Sequence, residues 1–273
     1  MTLHMPRLKQ QAQIRRLPDQ ITINYGPREQ LGRFFLAADK AARDRGVTLS
    51  LSTDFDYLRQ INAANRRSWD SLAPSFNNEV SDIGEHNGFC LIGTAADGTI
   101  VSTQAAKFYD LNGSSLAESV ASFRFFYADP DTTCEPGEIC RLTAPSASRI
   151  NGPVVFSGST WIHPDYRKLG LPAILPRISR ALALTRWNTS YTISFVKFVL
   201  VEKGVAQAYG YNNIEPALEW RGPSGEMRYE GALIWMKQEE LLIDLARFPM
   251  LIQAKDAPTK RLPQNGTAVP VYH

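Results

Sequence analysis

Hydrophobic and polar positions follow a helical period early in the chain and then alternate as in a strand. Residues 27–46 repeat apolar side chains three and four positions apart and stop at Gly46, which predicts an N-terminal helix. Residues 47–52 alternate between apolar and polar side chains, which predicts a strand. Because Asp54 then stands where it can cap a second helix, we expect a strand followed by a helix here.

A hairpin is the clearest local prediction. Residues 89–111 hold two β-rich runs joined around Asp97 and Gly98, a dipeptide that favours tight turns between antiparallel strands. Residues 112–151 have a less regular pattern, and residues 116–126 within them fit either a helix or a strand.

The second half of the chain alternates strand-like and helix-like runs. The predicted strands cover residues 153–164, 191–201, 217–221 and 227–236. The predicted helices cover residues 171–187, 203–209 and 238–248. An antiparallel start followed by a strand–helix–strand crossover predicts an α/β (α+β) chain with a mixed, mostly antiparallel central sheet flanked by helices. Since ligands of such sheets bind where strands end, the junctions are the first places to search for a site.

Composition restricts the class of protein. The chain has 273 residues, of which 44% are hydrophobic and 21% charged, as is typical of a globular protein with a sizeable core. A net charge of +3 is too small to indicate a nucleic-acid surface, and no apolar run reaches the ~18 residues that span a membrane. Cys90, Cys134 and Cys140 are odd in number and lack metal-site spacing, so we expect reduced thiols, no metal and a cytoplasmic location.

The two ends differ from the middle of the chain. The first sixteen residues are basic, with a weak likeness to a mitochondrial transit peptide, and the last residues are rich in Pro and polar side chains. We therefore divide the chain into an N-terminal arm and helix at 1–46, a main domain at 47–250 and a flexible C-terminal tail at 251–273.

The junction between the predicted strand ending near His163 and the helix starting at Leu171 has an unusual content. Its sequence, HPDYRKLGLP, places two cations, Arg167 and Lys168, before Gly170. A strand that ends at a glycine-containing turn and starts a helix exposes backbone N–H groups, and with the positive end of the helix dipole these attract phosphate. The alternative is an ordinary turn that carries a solvated dibasic pair.

The same stretch resembles the acyl-coenzyme A signature of the GNAT acyltransferase superfamily, in which a strand ends in a Val-x-Pro-like step followed by Arg/Gln-x-x-Gly-x-Gly/Ala. The matching positions are Ile162, Pro164, Arg167, Gly170 and Pro172. A second stretch, residues 205–216, resembles the helix ending in Tyr-x-x-x-Gly-Phe/Tyr that precedes the sixth strand of that fold. The resemblance covers about residues 47–236 and implies a GNAT-like acyltransferase domain behind an N-terminal helical extension.

The resemblance implies acetyl-CoA or another acyl-CoA as cofactor. The turn would hold the pyrophosphate in a nest of amides, and the open edge of the strand would pair with the pantetheine arm. The residues that this assigns to the cofactor are Thr160, Trp161, Ile162, His163, Arg167, Lys168, Leu169, Gly170 and Leu171.

Three departures from the family pattern affect the expected cofactor binding and catalysis. Pro172 stands where the family has Gly or Ala, so one N–H donor is missing at the phosphate. Pro176 follows early in the predicted helix, whose first turn should therefore be bent or delayed. The Tyr that protonates the thiolate in many relatives falls on Ala206 here; Tyr209 is the candidate that replaces it, with a packing role as the alternative.

Glu138 is the second catalytic candidate. The Glu-x-x-Arg-Leu run that it begins is similar to a segment of the GNAT branch that makes acyl-homoserine lactones and N-acyl amino acids, which implies a base or amine-binding carboxylate oriented by Arg141. The alternative is a structural ion pair between these two residues at a strand start. His86 and His163 are each expected to be structural, hydrogen-bonded imidazoles rather than bases, and of the two His163 is the one expected to face the cleft.

These patterns predict an enzyme that moves an acetyl or other acyl group from CoA to a primary amine of a small molecule. The partners considered are that amine and a second copy of the chain, and neither nucleic acid nor membrane. A non-catalytic sensor or scaffold that binds acyl-CoA is the first alternative, because a Tyr is missing and Pro172 intrudes. A synthase with a long acyl donor is the second, and it depends on Glu138.

Overall fold

The computed structural model describes residues 15–256, and the terminal arms predicted from the sequence lie largely outside them. Eight strands form one sheet: β1 Thr48–Ser52, β2 Gly88–Thr94, β3 Ile100–Leu111, β4 Ile139–Leu142, β5 Gly152–Ile162, β6 Tyr191–Lys197, β7 Asn213–Arg221 and β8 Met227–Lys237. The helices are α1 Arg28–Arg43, α2 Phe55–Ala64, α3 Leu116–Ala121, α4 Pro130–Thr133, α5 Leu175–Trp187, α6 Phe198–Glu202, α7 Val205–Tyr209 and α8 Gln238–Asp256.

The strand order is β1-β2-β3-β5-β6-β8-β7-β4. Among the described strands, β5 and β6 are the one parallel pair, and every other neighbouring pair is antiparallel. The predicted mixed, mostly antiparallel sheet flanked by helices is therefore confirmed. The single parallel pair sits in the middle of the sheet, where α5 makes the crossover.

Local chemistry explains the predicted hairpin. Asp97 accepts the N–H of Thr99 at 2.9 Å, and Gly98 takes a φ of +87°, which costs a glycine nothing. This bond and the backbone of Gly98 close the turn between β2 and β3. The two strands are antiparallel, with Gly88 of β2 opposite Lys107 of β3. The turn thus sets which face of each strand points into the core.

The sheet carries one hydrophobic cluster on each face. The face covered by α1, α5 and α8, called the α5 face below, buries Phe34, Ile178 and Leu245. The opposite face, called the α2 face, buries Leu58 of α2 and Val120 of α3. Because α1 shares its cluster with α5, the helix predicted as an N-terminal extension packs as part of the main body.

Several boundaries differ from the predictions. The predicted strand 191–201 ends at Lys197, and its apolar continuation forms α6 instead. The ambiguous segment 116–126 begins as a helix, because Ser115 and Glu118 form a capping box at its start. The last helix extends past residue 248 to Asp256, so the first residues of the tail predicted at 251–273 are helical.

Candidate functional site

An opening in the middle of the sheet is the main feature of the site. The parallel strands β5 and β6 pair only over residues 154–156 and 191–193, although β5 continues to Ile162 and β6 to Lys197. Beyond Phe156, the edge of β5 that faces β6 has no strand partner among the described residues. This unpaired edge offers backbone N–H and C=O groups to an extended ligand.

A bulge distorts β5 beside the opening. The register with β3 shifts between Thr103 and Ala105, so that two residues of β5, Ser159 and Thr160, lie opposite Gln104 alone. Ser159 has a φ of +49°, and its carbonyl oxygen accepts the Thr103 hydroxyl at 3.1 Å. The bulge turns the side chain of Thr160 to the α5 face, where α7 lies.

The turn after β5 has two left-handed residues and several backbone amides that point away from other backbone acceptors in the described residues. Lys168 and Gly170 take left-handed φ values of +69° and +81°. The amides of residues 168–171 have no hydrogen-bond acceptor within the described part of the chain, whereas the amide of Arg167 is used by Pro164. Successive free amides in such a turn form a cavity that binds anions.

The helix after this turn starts late, as the sequence predicts. Residues Leu171–Ala173 form a 3-10 turn, and α5 begins only at Leu175, with Pro176 near its first residue. Pro176 has no N–H to donate, and at the start of a helix it needs no acceptor. The predicted cost of an interior proline is therefore avoided by delaying the helix.

The three cations of this turn have different roles. Arg167 donates to the carbonyl oxygen of Ile162 at 3.2 Å and to that of Ser68 at 3.1 Å, so it ties the turn to the rest of the fold. Lys168 is exposed. Arg45, which follows α1, donates from Nε to the carbonyl oxygen of Leu169 at 2.6 Å. Sequence analysis missed Arg45, because its contact spans 124 positions and no local pattern signals it.

The predicted cofactor residues at the end of β5 do not all face the opening. Trp161 is buried on the α2 face, where its Nε1 donates to the hydroxyl of Ser68 at 3.1 Å. Ile162 lies in the hydrophobic cluster of the α5 face. His163 donates its amide to Val101 of β3 and accepts the amide of Asp165 at Nδ1, so it caps the turn as a structural imidazole. Among the side chains of residues 160–163, Thr160 is the one that meets α7.

Tyr209 reaches the bulge from the other side of the opening. It ends α7, one helical turn after Ala206, and its phenol lies beside the Thr160 hydroxyl and interacts with it. Burial raises the pKa of Tyr209 above its ordinary value, and the hydrogen bond with the Thr160 side chain opposes this rise in part. The phenol is therefore neutral near pH 7 and carries a proton that it can donate.

The main chain of α7 is held by two buried arginines of α5. Arg177 donates from Nη1 to the carbonyl oxygen of Ala208 at 2.9 Å, and Arg180 donates to that of Tyr209 at 2.6 Å. Asp244 of α8 bonds both guanidinium groups, at 2.8 Å to Arg177 and 3.3 Å to Arg180. The helix that carries Tyr209 is thus fixed by charged side chains from its neighbours.

A segment between α2 and β2 crosses the opening on the α2 face. Trp69 stacks on Trp161 with ring centroids 5.5 Å apart, and Asp70 forms an ion pair with Lys197 at 2.8 Å. Because Trp161 is the last residue but one of β5 and Lys197 is the last residue of β6, this segment contacts both diverging strands. The hydrogen bond to Lys197 lowers the pKa of Asp70, which keeps the carboxylate charged.

Glu138 is not brought to the opening. It lies just before β4, at the sheet edge beyond β6, β8 and β7, and its buried carboxylate accepts from Trp220 at 2.5 Å and Arg228 at 2.7 Å. The structural ion pair that the sequence left open is therefore formed with Arg228 instead of Arg141. The geometry gives Glu138 no access to a substrate held between β5 and β6.

Residues 15–256 contain neither a metal-ligating cluster nor a membrane-spanning helix. No group of three or more His, Cys, Asp or Glu side chains in this range could hold a metal ion. None of the helices there combines the length and apolar character needed to cross a lipid bilayer. Burial raises the pKa of the Cys90 and Cys140 thiols to about 12, so neither is a thiolate nucleophile.

Comparison with known proteins finds similar structures at low sequence identity. No family model and no curated protein matches the chain. The chain is similar to Mycobacterium smegmatis RimJ in complex with CoA-disulfide, with 12% identity and a TM-score of 0.43 over 77% of this chain and 91% of that one. It is similar to spermidine N-acetyltransferase from Vibrio cholerae, with 11% identity and a TM-score of 0.40 over 71% and 95%. It is also similar to an uncharacterized protein from Bacillus halodurans, with 13% identity and a TM-score of 0.40 over 76% of this chain and 92% of that one.

These similarities assign no residue and no substrate to this chain, so the site rests on its own geometry. Within the described residues, that geometry brings together the unpaired edge of β5, the turn with four free amides and the Tyr209 phenol, and it leaves out Glu138. A splayed strand pair followed by an amide-lined turn is the arrangement that the GNAT resemblance of the sequence implies.

Proposed function

We propose that the chain is an acyl-CoA-dependent N-acyltransferase that acts on a primary amine of a small molecule. The observation that supports this proposal is the opening between β5 and β6, which ends at a turn whose four amides have no acceptor among the described residues. An extended arm with amide groups and a pyrophosphate at one end matches it: the arm pairs with the strand edge, and the pyrophosphate lies on the turn.

The residues of the turn fit a CoA pyrophosphate. The amides of residues 168–171 supply donors, and the side chains of Lys168 and Arg45 supply positive charge beside them. Pro172 supplies no N–H donor. Arg45 offsets this loss, because it adds a cation from outside the motif. Thr160 and the backbone of residues 157–162 would hold the pantetheine arm.

Tyr209 provides the acid that the reaction needs. The thioester supplies an electrophilic carbonyl carbon, the amine nitrogen forms the new bond and releases one proton to solvent, and the C–S bond breaks with its electron pair going to sulfur. A neutral phenol at the opening can protonate that sulfur. The backbone of the bulged strand is placed to donate to the carbonyl oxygen, where negative charge develops.

The acceptor would enter from the α2 face. The α5 face of the opening is occupied by α5 and α7, whereas the α2 face is crossed by one segment that holds Trp69 and Asp70. Phe156 and Phe195 line the sheet on that side, with ring centroids 5.5 Å apart. An apolar wall with a carboxylate at its rim suits an amine attached to an organic body.

Release of free thiol tests this function directly. The purified chain would be mixed with acetyl-CoA and a panel of small primary amines, and thiol would be measured with and without each amine. Amine-dependent thiol release is expected. Octanoyl-CoA and palmitoyl-CoA would be compared in the same assay, because preference for long chains would support the synthase alternative.

A non-catalytic acyl-CoA sensor is the second candidate, and Ala206 in place of the family Tyr favours it. Thermal unfolding in the presence of acetyl-CoA separates the two. A rise in the melting temperature without thiol release from any amine would replace the enzyme with the sensor. No rise and no thiol release would remove both candidates.

A further inference from the structure

Two arginines contact the turn after β5, and they reach it from opposite faces of the sheet. Arg45 follows α1 on the α5 face, and it bonds the carbonyl oxygen of Leu169. Arg167 extends to the α2 face: its Nε donates to the carbonyl oxygen of Ile162 at 3.2 Å, and its Nη2 donates to that of Ser68 at 3.1 Å. The guanidinium of Arg167 therefore joins the end of β5 to a segment 99 positions earlier in the chain.

Residues 68–70, called the strap below, cross the opening on the α2 face. The hydroxyl of Ser68 accepts a hydrogen bond from Nε1 of Trp161 at 3.1 Å, and Trp69 stacks on the same indole with 15° between the ring planes. These contacts seat the strap on the end of β5, while the carboxylate of Asp70 pairs with the last residue of β6 at 2.8 Å. The strap therefore spans the two strands between which the thioester is proposed to lie.

Arg167 makes the single hydrogen bond between the strap and the turn within residues 15–256. Its Nε and Nη2 form one edge of the planar guanidinium, and both of their acceptors are main-chain oxygens. Two donors held in a fixed fork can bond both oxygens at once, whereas the ammonium group of a lysine is a compact charge on a flexible stem. The bridge therefore depends on the shape of the guanidinium and not on its charge alone.

We infer that Arg167 is a positioning residue of the acceptor site, which fixes the strap over the opening and takes no part in holding the CoA pyrophosphate. The inference rests on the proposed function, in which the acceptor enters from the α2 face past Trp69 and Asp70. Loss of the fork should weaken binding of the amine. Cofactor binding should persist, because the four free amides of the turn remain, as do Lys168 and Arg45.

The first test needs no turnover. Two stacked indoles couple electronically and give circular dichroism bands of opposite sign, and Trp69→Phe identifies the part of the spectrum that comes from the pair with Trp161. Arg167→Lys should reduce this signal, because the strap loses one of its attachments. Lys168→Ala, which changes the neighbouring cation, should leave it unchanged. A full signal in Arg167→Lys would show that the strap does not depend on the fork, and it would overturn the inference.

The second test measures CoA binding by titration calorimetry. Arg167→Lys and Arg167→Ala should each bind CoA within about twofold of the wild type at about 0.15 M salt, where a charge outside the contact is largely screened. Lys168→Ala should bind CoA more weakly than either variant, since its charge lies beside the free amides. A loss of about tenfold in Arg167→Ala would place this guanidinium on the phosphate and refute the inference.

The third test uses turnover with an amine that the thiol assay identifies. Arg167→Lys should raise the KM for the amine about tenfold, and it should leave kcat and the KM for acetyl-CoA within about twofold. A higher KM for acetyl-CoA at an unchanged KM for the amine would contradict the inference.

Failure of the proposed function would look different. A wild-type chain that releases no thiol with any amine would remove the enzyme, and with it the acceptor site. The circular dichroism of the Trp69–Trp161 pair would still decide whether the Arg167 fork holds the strap.

Discussion

Arg180 donates from Nη2 to the main-chain oxygen of Tyr209 at 2.6 Å, and its side chain is fully buried. This bond fixes the backbone of the residue whose phenol meets the bulge of β5. The guanidinium also stacks over the Tyr211 ring at 4.4 Å, so it holds both ends of the turn that follows α7.

The first prediction concerns the carboxylate that neutralises this region. Asp244→Ala should lower the free energy of unfolding by about 3–5 kcal/mol, because it leaves Arg177 and Arg180 buried without their shared counter-charge. Denaturant unfolding would measure the loss. Glu239→Ala, at an exposed position of the same helix, should change stability by less than about 0.5 kcal/mol. Equal losses in the two variants would contradict the role given to Asp244.

The second prediction concerns the cation that the sequence motif does not contain. Arg45→Ala should weaken CoA binding about tenfold, since it removes a charge-assisted contact and the bond that holds Leu169. Titration calorimetry at two salt concentrations would measure this, with a larger loss at low salt. Arg33→Ala removes a cation from the exposed side of α1, where it pairs with Glu29, and should leave CoA affinity unchanged. A similar loss in both variants would mean that only the general charge of the chain matters.

The third prediction separates the effect of the Lys168 charge on CoA binding from the effect of its backbone conformation on stability. Its φ of +69° suits glycine and is costly for other residues, by roughly 1–2 kcal/mol. Lys168→Gly should therefore keep or raise the melting temperature while it weakens CoA binding by the loss of charge. Lys168→Ala should weaken binding similarly and gain no stability. If Lys168→Gly binds CoA as the wild type does, the side chain takes no part in holding phosphate.

The fourth prediction restores a donor. Pro172→Ala adds an N–H next to the four free amides and should strengthen CoA binding a few-fold. A small loss of stability, about 0.4–1 kcal/mol, is expected because the unfolded chain becomes less restricted. Binding isotherms of the two proteins at equal salt would decide. Weaker binding would show that the proline ring shapes the turn for its ligand.

The buried thiols make stability depend on alkaline pH. Burial raises the pKa of Cys90 and Cys140 from 9.0 to about 12, so both stay protonated in the folded state after they have ionised in the unfolded one. Their contribution is fully present below pH 9 and is lost as the pH rises from 9 to about 12, by ~1.4 kcal/mol per pH unit for each thiol. Unfolding curves across that range should therefore fall less steeply for the double variant Cys90→Ala, Cys140→Ala. An unchanged slope would mean that these thiols titrate normally.

Structural features that depend on neighbouring residues could be predicted from the sequence. The delayed start of α5 followed from Pro176 alone, because the missing N–H acts within one turn of helix. The hairpin followed from Asp97 and Gly98 for the same reason. By contrast, the run after Lys197 is as apolar as a strand, and its change to α6 depends on tertiary packing that outweighs local preference.

The candidate site likewise has parts that the local sequence predicts and parts that it does not. The glycine-containing turn after β5 could be predicted, since its glycine and its cations are neighbours in the sequence. The contacts of Gln104 with Thr160 and of Arg45 with Leu169 join residues 56 and 124 positions apart, and no local pattern announces them. Glu138 was proposed from a short motif, and its place at the far edge of the sheet follows from strand order, which the motif does not contain.

The segment that follows α1 contacts the turn that we propose as the phosphate site. A chain shortened to begin at residue 47 would keep every residue of the phosphate motif and would still lose the guanidinium that bonds Leu169. The smallest unit that contains the whole of the proposed cofactor site therefore starts at α1, and a boundary drawn from motif similarity alone would cut through that proposed site.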